Sequence, residues 1–551
     1  VMPRNNASSF FQECFSQEDK TQKSLRAYFG NVVKGQPEVY DTPFAKGEST
    51  EQLLSAWMEV LESIRHKWPS LWEFENDLAK KVGPLSVRKP LKERMDDIEA
   101  YYEGIHLPSK PLDERAIAAT TREWSRFSGL EVRRQMETIL LMKKSTNSGS
   151  PYFRKRKDVV TDTYACNVYE YRGWDFVQYL GMNKFHYFSD PLEYSDAFRY
   201  CAILGWRGQE GGYSKEDVKQ RVVWMFPFAV NICELQVYQP AIEAAQKFNI
   251  VPAWVSMDKV DETITYLFDS KGDKDLVVCT DFSKFDQHFN VQLSRASHQI
   301  LKNLLTPGKR SQWWLNEIYP IKYVIPIAYD YGKVKFGEHG MASGSGGTNF
   351  DETLAHRCLQ YEVAMHHGQM LNLNSQCLGD DGILTYPGIT VEDVVKEYTR
   401  HGLEMNSDKQ YASTQDCVYL RRWHHTEYRE RGICVGVYST CRALGRLRYL
   451  ERFMNPEVWD SEAVALRQLS ILENIKYHPL KAQFVDFCMK RDKYRLGIDI
   501  PHFLDDIEDI ARKKIDLMPD FMGYTRTLQG GGDPVRGIEN WWIVKYLKSK
   551  A

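Results

Sequence analysis

Gln376-Cys377-Leu378-Gly379-Asp380-Asp381-Gly382-Ile383-Leu384 is the stretch around which the rest of the chain is organised. Apolar residues run into a Gly-Asp-Asp-Gly sequence and continue beyond it, which predicts a β-hairpin with two carboxylates at its turn. Adjacent carboxylates repel each other unless a cation lies between them, so Asp380 and Asp381 favour a hard divalent ion such as Mg²⁺. The triplet alone is also typical of a solvated turn, and its neighbours along the chain decide between these interpretations.

A second pair of carboxylates follows a predicted buried strand. Residues 276–280 are apolar or β-branched and lead into Asp281-Phe282-Ser283-Lys284-Phe285-Asp286. A buried strand that ends in a carboxylate is suited to hold a catalytic metal, and a helix cap at Asp281 is the alternative interpretation. We expect Asp286 on the turn or helix that follows.

A glycine-rich loop lies between these two segments, at residues 340–349, and a helical pattern follows it. A loop that leads into a helix N-terminus is suited to phosphate or ribose contacts. It is not a Walker loop, because no Gly-Lys-Ser/Thr follows. A flexible linker is the alternative interpretation, but the apolar residues on both sides of the loop argue against it.

Two basic segments precede these motifs. The small-residue loop 145–153 is followed by four consecutive cations at 154–157, a pattern suited to a nucleic-acid backbone. Further on, Lys219 and Arg221 alternate on one face of a predicted strand, as a polyphosphate site requires. A solvated charge run and an edge strand protected by charge are the respective alternatives.

The C-terminal third begins with a predicted helix at 391–401, Lys409 and a predicted strand at 417–423. From about residue 430 helices dominate, one of them capped by Asp460. At the other end, residues 1–45 are polar with few apolar residues, so this segment is expected to dock against the rest of the protein.

Composition is that of an ordinary globular protein, with 551 residues and a net charge of −2. Any positive potential for nucleic acid must therefore be confined to a channel. The 11 cysteines have no regular spacing, which indicates free thiols in a reducing compartment. No signal peptide or membrane span is predicted, because the longest apolar run, residues 222–230, is short and contains Pro227.

The order of these motifs resembles that of viral RNA-dependent RNA polymerases. Asp-x₄-Asp at 281–286, Ser-Gly-x₃-Thr at 343–348, Gly-Asp-Asp at 379–381 and Lys409 follow one another as motifs A, B, C and D of that family. The similarity covers at least residues 148–423, and the wording of motifs A and B is most similar to polymerases of small double-stranded RNA viruses, the picobirnaviruses in particular.

The resemblance implies a role for each matching position. The metal-binding and catalytic positions are Asp281, Asp380, Asp381 and the general acid Lys409. The nucleotide-binding positions are Lys219, Arg221, Asp286, Ser343, Gly344, Thr348 and Asn349. The RNA-binding positions, on the template path and at the primer grip, are Ser148, Gly149, Pro151, Arg154, Lys155, Tyr419, Arg421 and Arg422.

One position departs from the family pattern. Related polymerases often have Asn four residues after the Thr of motif B, where this chain has Glu352. Selection of RNA over DNA requires a polar partner for the ribose 2′-hydroxyl, a role we assign to Asp286 with Asn349.

The resemblance also implies an α+β, right-hand polymerase fold with an antiparallel palm sheet, mixed mostly helical fingers and a helical thumb. The expected domains are fingers at 1–243, with an N-terminal segment that bridges towards the thumb, and at 288–340. The palm is expected at 244–287 and 341–427, and the thumb with the C-terminal tail at 428–551.

The expected activity is template-directed RNA synthesis that transcribes and replicates a viral double-stranded RNA genome by two-metal nucleotidyl transfer, with Mg²⁺, or Mn²⁺ in its place. The expected partners are RNA template and product, ribonucleoside triphosphates and a capsid protein, without a membrane, in the virion interior and host cytoplasm. Two alternatives are a nuclease, which has no need of the motif B loop or Lys409, and a non-catalytic RNA-binding protein.

Overall fold

The structure is a computed structural model that describes residues 19–150, 152–164, 166–170, 177–180, 201–517 and 535–551. Among these residues, no helix has both the length and the apolar character needed to cross a bilayer. The glycine-rich residues 529–532 and Pro151 lie outside the described residues.

Helices are the commonest regular structure in the described chain. In chain order the α-helices are α1 Asp19–Lys34, α2 Thr50–Leu61, α3 Pro69–Ala79, α4 Met95–Glu103, α5 Glu114–Trp124, α6 Gln135–Leu141, α7 Val160–Thr163, α8 Phe228–Lys247, α9 Pro252–Val255, α10 Met257–Ser270, α11 Phe285–His288, α12 Val291–Leu304, α13 Lys309–Trp313, α14 Ile321–Val324, α15 Thr348–His366, α16 Val391–Thr399, α17 Thr440–Arg448, α18 Ser461–Glu473, α19 Lys481–Met489, α20 Ile507–Lys514 and α21 Trp542–Lys550. Short 3₁₀ turns include Lys215–Asp217, Ser407–Lys409 and Ile538–Asn540.

The strands form four small sheets. In chain order they are β1 Asn167–Glu170, β2 Val177–Leu180, β3 Ala202–Gln209, β4 Lys219–Met225, β5 Val277–Thr280, β6 Ile327–Asp330, β7 Lys333–Lys335, β8 Gln376–Leu378, β9 Asp381–Leu384, β10 Tyr411–Ser413, β11 Asp416–Tyr419, β12 Arg422–His425 and β13 Val437–Tyr438. The sheet orders are β1-β2, β4-β3-β6-β7, β10-β5-β9-β8 and β11-β12-β13.

The sheet β10-β5-β9-β8 is antiparallel throughout, as predicted for the palm. All four residues of β5 are buried, because β9 and β10 pair along its two edges and β11 contacts it through Val418 and Cys279. The hairpin predicted at 376–384 is confirmed: β8 and β9 pair with Leu378 opposite Asp381. Both predicted carboxylate segments therefore end on adjacent strands of one sheet.

The predicted docking of the N-terminal segment is confirmed for its described part. Leu25 and Phe29 on α1 are buried against Ile203 of β3 and Ala328 of β6. Further along, Thr42 donates its backbone N–H to the Arg448 carbonyl at 2.9 Å, so the chain next contacts the C-terminal helices.

The C-terminal helices share a hydrophobic core with an N-terminal stretch, residues 44–82. The start of α2 has a capping box, in which Ser49 Oγ accepts from the Gln52 N–H at 3.1 Å. Its buried stripe, which includes Trp57, then packs against Phe484 of α19. The predicted division into fingers, palm and thumb stays a prediction, since the palm and most of the fingers also share one core.

Candidate active site

The carboxylates of Asp281 and of the Gly-Asp-Asp turn meet at one end of the antiparallel sheet. Thr280, the last residue of β5, pairs with Gly382 of β9, which brings Asp281 opposite Asp381. Directly opposite residues of antiparallel strands have Cα atoms about 4.5–5.5 Å apart. Asp380 lies at the turn that connects β8 to β9. Three carboxylates from two distant parts of the sequence are thus neighbours.

The turn itself depends on a glycine. Gly379 has φ = 57°, and the two-residue turn with glycine first is the pattern of a type II′ hairpin. Helix α15 supports it: His356 Nδ1 donates to the Gly379 carbonyl at 2.8 Å, and the Gly379 N–H donates to Thr353 Oγ1 at 3.0 Å. The position of Asp380 is therefore fixed by the helix beneath it.

Electrostatics at this turn favour a cation. Desolvation, together with the Asp286 and Asp281 carboxylates, raises the pKa of Asp380 to about 6. Burial and the adjacent Asp380 carboxylate raise the pKa of Asp381 to about 7. These carboxylates are disfavoured as anions without a counterion, and their all-oxygen donor set suits Mg²⁺.

Lys409 lies beside Asp281 because of the residue that follows it. Gln410 Oε1 accepts from the Asp281 N–H at 2.7 Å, and Gln410 Nε2 donates to the Asp281 carbonyl at 2.8 Å. Burial raises the pKa of Asp281, while the nearby ammonium groups of Lys81 and Lys409 oppose that rise. Sequence reasoning missed Gln410 and Lys81, since neither belongs to a recognisable pattern.

The glycine-rich loop packs directly on β4. The backbone N–H of Trp224 donates to Ser343 Oγ at 3.3 Å. A Cβ placed on Gly344 would lie 1.5 Å from the Trp224 carbonyl oxygen. Only glycine allows this approach. Thr348, at the start of α15, closes the loop by donating to the Ala342 carbonyl at 3.0 Å.

Strand β4 carries the predicted cationic face. Lys219 and Arg221 are exposed and alternate with buried residues, as predicted. Arg207 of β3 pairs opposite Arg221 and is also exposed, so it adds a third cation to the same face. Sequence reasoning missed Arg207. The alternation of Arg207 and Gln209 along a strand is the pattern that could have indicated an exposed polar face.

The predicted template loop lies against the end of β4. Ser148 accepts from the Phe228 N–H at 2.9 Å through its carbonyl, and Gly149, with φ = 63°, approaches the Phe226 carbonyl too closely for a Cβ. Arg154 and Lys155 are exposed. The loop and the cationic strand are therefore neighbours.

The predicted strand at 417–423 is wrong: the chain forms a hairpin there, β11 and β12. Leu420 and Arg421 have φ of 52° and 59°, and two positive values are typical of a type I′ turn. Leu and Arg are uncommon at these positions, so the sequence did not predict a turn here. Asp381 Oδ2 accepts from the Leu420 N–H at 2.9 Å and so fixes this turn to the carboxylates.

Among the residues predicted for the primer grip, Arg421 is exposed and lies 3.3 Å from Glu210. Arg422 binds Asp261 through two contacts of 3.0 and 3.1 Å, and Tyr419 is buried. Arg422 and Tyr419 therefore stabilise the hairpin, and the RNA contact predicted for all three residues stays a prediction.

Asp286 lies on α11, as expected, and the Met341 N–H donates to its carbonyl at 2.8 Å. Burial and the nearby Asp286 carboxylate raise the pKa of Glu352 well above its ordinary value. Asn349, the partner we assigned to Asp286, uses its Oδ1 to accept from Trp254 Nε1 at 2.9 Å.

A second group with metal-ligand chemistry lies farther along α15. One atom each of Glu362, Glu397 and His401 lies within 4.8 Å of the others, and all three residues are buried. His401 Nε2 contacts Glu362 Oε2 at 2.5 Å, and Glu397 accepts from Arg400 at 3.1 Å. These contacts explain the group as a hydrogen-bonded network, and Glu362 lies about 15 Å along α15 from Glu352.

Comparisons with known proteins agree with this geometry. The family model described as "Viral RNA-dependent RNA polymerase" matches residues 211–447. The "Potential RNA-dependent RNA polymerase" of Human picobirnavirus is 58% identical over 530 residues, 96% of each chain. The crystal structure of the RNA-dependent RNA polymerase of a human picobirnavirus has a TM-score of 0.89 at 56% identity, over 96% of this chain and 97% of that one. Its insertion loop deletion mutant has the same TM-score at 54% identity, over 100% of both chains.

Proposed function

This chain belongs to the viral RNA-dependent RNA polymerases, and on that premise we propose that it transcribes and replicates a double-stranded RNA genome by two-metal nucleotidyl transfer. The enzyme is an RNA-directed RNA polymerase with the right-hand fold of that family. The observation that carries the proposal is the meeting of Asp281, Asp380 and Asp381 at one end of the antiparallel sheet.

Asp281 and Asp380, supported by Asp381, would hold the divalent ions that polymerases of this family generally use, Mg²⁺ or Mn²⁺. When bound, two such ions activate the attacking 3′-hydroxyl and stabilise the charge on the leaving pyrophosphate. Because Asp381 also accepts from the Leu420 N–H, it orients the hairpin of Arg421 relative to the reacting end of the primer.

The chain's own cations neutralise and position the substrate. Lys219, Arg221 and Arg207 share one exposed face of β3 and β4, where they would bind the triphosphate. Ser343, Gly344 and Thr348 lie in the loop that packs on this strand, between the cations and α15. Lys409, exposed beside Asp281, would protonate the leaving pyrophosphate, a role that requires it to be within reach and able to give up its proton.

RNA would enter along the loop that contains Ser148, Gly149, Arg154 and Lys155, since that loop lies against the end of the cationic strand β4. The product strand would pass Arg421, the exposed cation at the β11–β12 turn. We place this activity in the virion interior and the host cytoplasm, with a capsid protein as a further partner.

The test is incorporation of labelled ribonucleotides on a defined RNA, with and without primer. We expect synthesis with Mg²⁺, none with a chelator, and a loss of at least about 10²-fold in Asp380→Ala, because a charge-stabilising group is removed from the reacting centre. RNA binding should change little in that variant.

Asp273→Ala is the matched control, since Asp273 is an exposed aspartate on the turn before β5. Full synthesis by Asp380→Ala would contradict the metal assignment. Shortening of the labelled strand in place of extension would favour a nuclease.

A further inference from the structure

Helix α8 lies between the glycine-rich loop and the template loop, residues 145–157. At the start of the helix, the Phe228 N–H donates to the Ser148 carbonyl of the template loop at 2.9 Å. The following turns contact the glycine-rich loop through one helix face, at Asn231, Glu234, Leu235 and Tyr238. One helix therefore contacts both loops that we assign to RNA and nucleotide.

The glycine-rich loop packs closely on this face of α8. A Cβ placed on Gly346 would lie 3.0 Å from Leu235 Cδ2, and one placed on Gly347 would lie 2.2 Å from Tyr238 Cζ. A larger residue at Gly347 would push the loop away from the helix, because the aromatic ring already occupies the space of a side chain. The loop is therefore shaped to rest on α8.

Glu234 is fully buried and directs both carboxyl oxygens at the glycine-rich loop. Its Oε1 accepts from the Gly346 N–H at 3.0 Å, and its Oε2 accepts from the Ser345 hydroxyl group. Burial of a carboxyl group is costly unless donors satisfy it, and here the loop supplies them. Glu234 would lose these donors if the loop moved away from α8, so the side chain stabilises this position of the loop.

Asn231, one turn before Glu234, connects that carboxyl group to the template loop. Its Oδ1 accepts from Arg156 Nη2 at 2.8 Å. Its Nδ2 donates to Glu234 Oε1 at 3.1 Å and to the Gly344 carbonyl at 3.2 Å. A guanidinium group can only donate, so it must face the amide oxygen and leaves the amide nitrogen for the other two contacts. Arg156 therefore fixes the orientation in which Asn231 meets the glycine-rich loop.

Arg156 differs from its exposed neighbours in the basic run at 154–157. Its Nη1 donates to the Lys143 carbonyl at 3.1 Å, and its guanidinium carbon lies 5.2 Å from the centre of the Phe228 ring. Protein groups thus hold this cation on the side of the loop that faces α8. The exposed cations of the run remain available for phosphates, whereas Arg156 connects the loop to the helix.

We propose that Glu234 and Asn231 are positioning residues for nucleotide incorporation: they hold the glycine-rich loop against α8 and, through Arg156, tie its position to the template loop. The inference rests on the proposed polymerase function and deepens it. The three side chains act through residues 344–346 and not by contact with RNA or nucleotide. A displacement of about 1 Å in an element that positions a substrate is enough to slow the chemical step.

The experiment measures single-turnover incorporation of one ribonucleotide on a defined RNA. Glu234→Leu removes both acceptors, so the maximal rate should fall by about 10²-fold, as expected for a misplaced substrate. Glu234→Gln keeps an oxygen for the Gly346 N–H, and its amide nitrogen can donate to the Ser345 hydroxyl oxygen, so its rate should stay within about threefold of the unaltered enzyme. Glu243→Leu, at an exposed position on α8, is the matched control and should change nothing.

The amplitude of the reaction separates positioning from stability. A variant that is partly unfolded has fewer active molecules and a lower amplitude, whereas a misplaced loop lowers the rate of the molecules that react. We expect Glu234→Leu to lower the rate. Ser345→Ala breaks the same contact from the loop side and should also lower it, which keeps the test decisive if Glu234→Leu does not fold.

A second series tests the link to the template loop. Asn231→Ala and Arg156→Gln should each lower the maximal rate about tenfold, as for the loss of a hydrogen bond to a charged group. The double variant should match Asn231→Ala, because Arg156 acts through Asn231. Arg156→Gln should leave the salt dependence of RNA binding unchanged. Arg122→Gln, at an exposed arginine of α5, is the control.

Unchanged rates in Glu234→Leu or Ser345→Ala, or a Gln variant as slow as the Leu variant, would overturn the inference. Additive losses in the double variant, or a weaker salt dependence in Arg156→Gln, would overturn the link to the template loop. Failure of the polymerase function is distinct from these outcomes, because the unaltered enzyme would then incorporate no nucleotide.

Discussion

Gln410 shows how one side chain can couple two motifs that are distant in sequence. Its side-chain amide both accepts from and donates to the backbone of Asp281, and Gln410 directly follows Lys409 in the sequence. The distance between the proposed metal-binding carboxylate and the proposed general acid is therefore set by a pair of hydrogen bonds. A single residue thus positions a cation at the candidate active site.

Lys409→Leu tests this residue directly. The substitution keeps most of the apolar stem but removes the proton donor, so we expect the single-turnover rate of nucleotide incorporation to fall by about 10²-fold. Nucleotide affinity should change less, because Lys219 and Arg221 remain. Rapid-quench measurement of the first incorporated nucleotide reports the rate.

Lys396→Leu is the control for that variant, since Lys396 is exposed on α16. An unaltered rate in Lys409→Leu would exclude this lysine as the acid and leave it a charge partner of Asp281.

At the scale of elements, a carboxylate from another helix caps the N-terminus of helix α17. Glu75 of α3 is fully buried and accepts from the Thr440 N–H at 3.0 Å, from the Cys441 N–H at 3.4 Å and from the Ser439 and Thr440 hydroxyl groups. His478 Nε2 lies 3.1 Å away. Burial acts to raise the pKa of Glu75, but these donors outweigh it and lower the pKa. The helix dipole of α17 favours the same anion.

Glu75→Ala should therefore destabilise the C-terminal helical region by about 3 kcal/mol, because it leaves several buried donors without an acceptor. The expected readout is a lower midpoint of thermal unfolding and faster proteolysis within residues 440–550. The intact variant should still bind nucleotide, since Glu75 does not contact the carboxylate cluster.

Glu73→Ala is the matched control on the same helix, at an exposed position. Equal unfolding midpoints for the two variants would contradict the capping role of Glu75.

At the scale of the whole molecule, Glu210 joins parts of the chain that are far apart in sequence. It follows β3 and contacts Arg446 at 2.7 Å, Arg442 at 3.2 Å and Arg421 at 3.3 Å. Glu451 also contacts Arg446, at 2.9 Å, so two carboxylates face three guanidinium groups and one positive charge remains at this junction. Together with the cations of β4 it gives local positive potential in a chain whose net charge is −2.

RNA binding should consequently weaken with salt. We expect the affinity for a single-stranded RNA to fall by at least about tenfold between 50 and 200 mM monovalent salt, because bound counterions are released from several phosphates. Filter binding or fluorescence anisotropy over that range measures the slope. A flat response would argue against a phosphate-lined channel.

The double variant Arg154→Gln/Lys155→Gln should have a shallower slope, since two exposed cations of the template loop are lost. Lys274→Gln/Lys396→Gln, which removes two exposed cations elsewhere, should leave the slope unchanged.

The sequence by itself determined the local features of the site. The hairpin at 376–384, the strand before Asp281 and the alternation of Lys219 and Arg221 depend on glycine, β-branched residues and a period of two, which are properties of short segments. The order of these segments along the chain then indicated the family, because members of one family share the order in which the chain connects the strands and helices of the palm.

Only the tertiary structure decided which side chains pair with each other. Arg422 binds Asp261, Asp381 accepts from the Leu420 N–H, and residues 44–82 complete the core of the C-terminal helices. No local pattern encodes these contacts, because each depends on the packing of elements separated by tens to hundreds of residues. The raised pKa values of Asp380 and Asp381 have the same origin, because desolvation and neighbouring carboxylates, not residue type, set the charge of a carboxyl group.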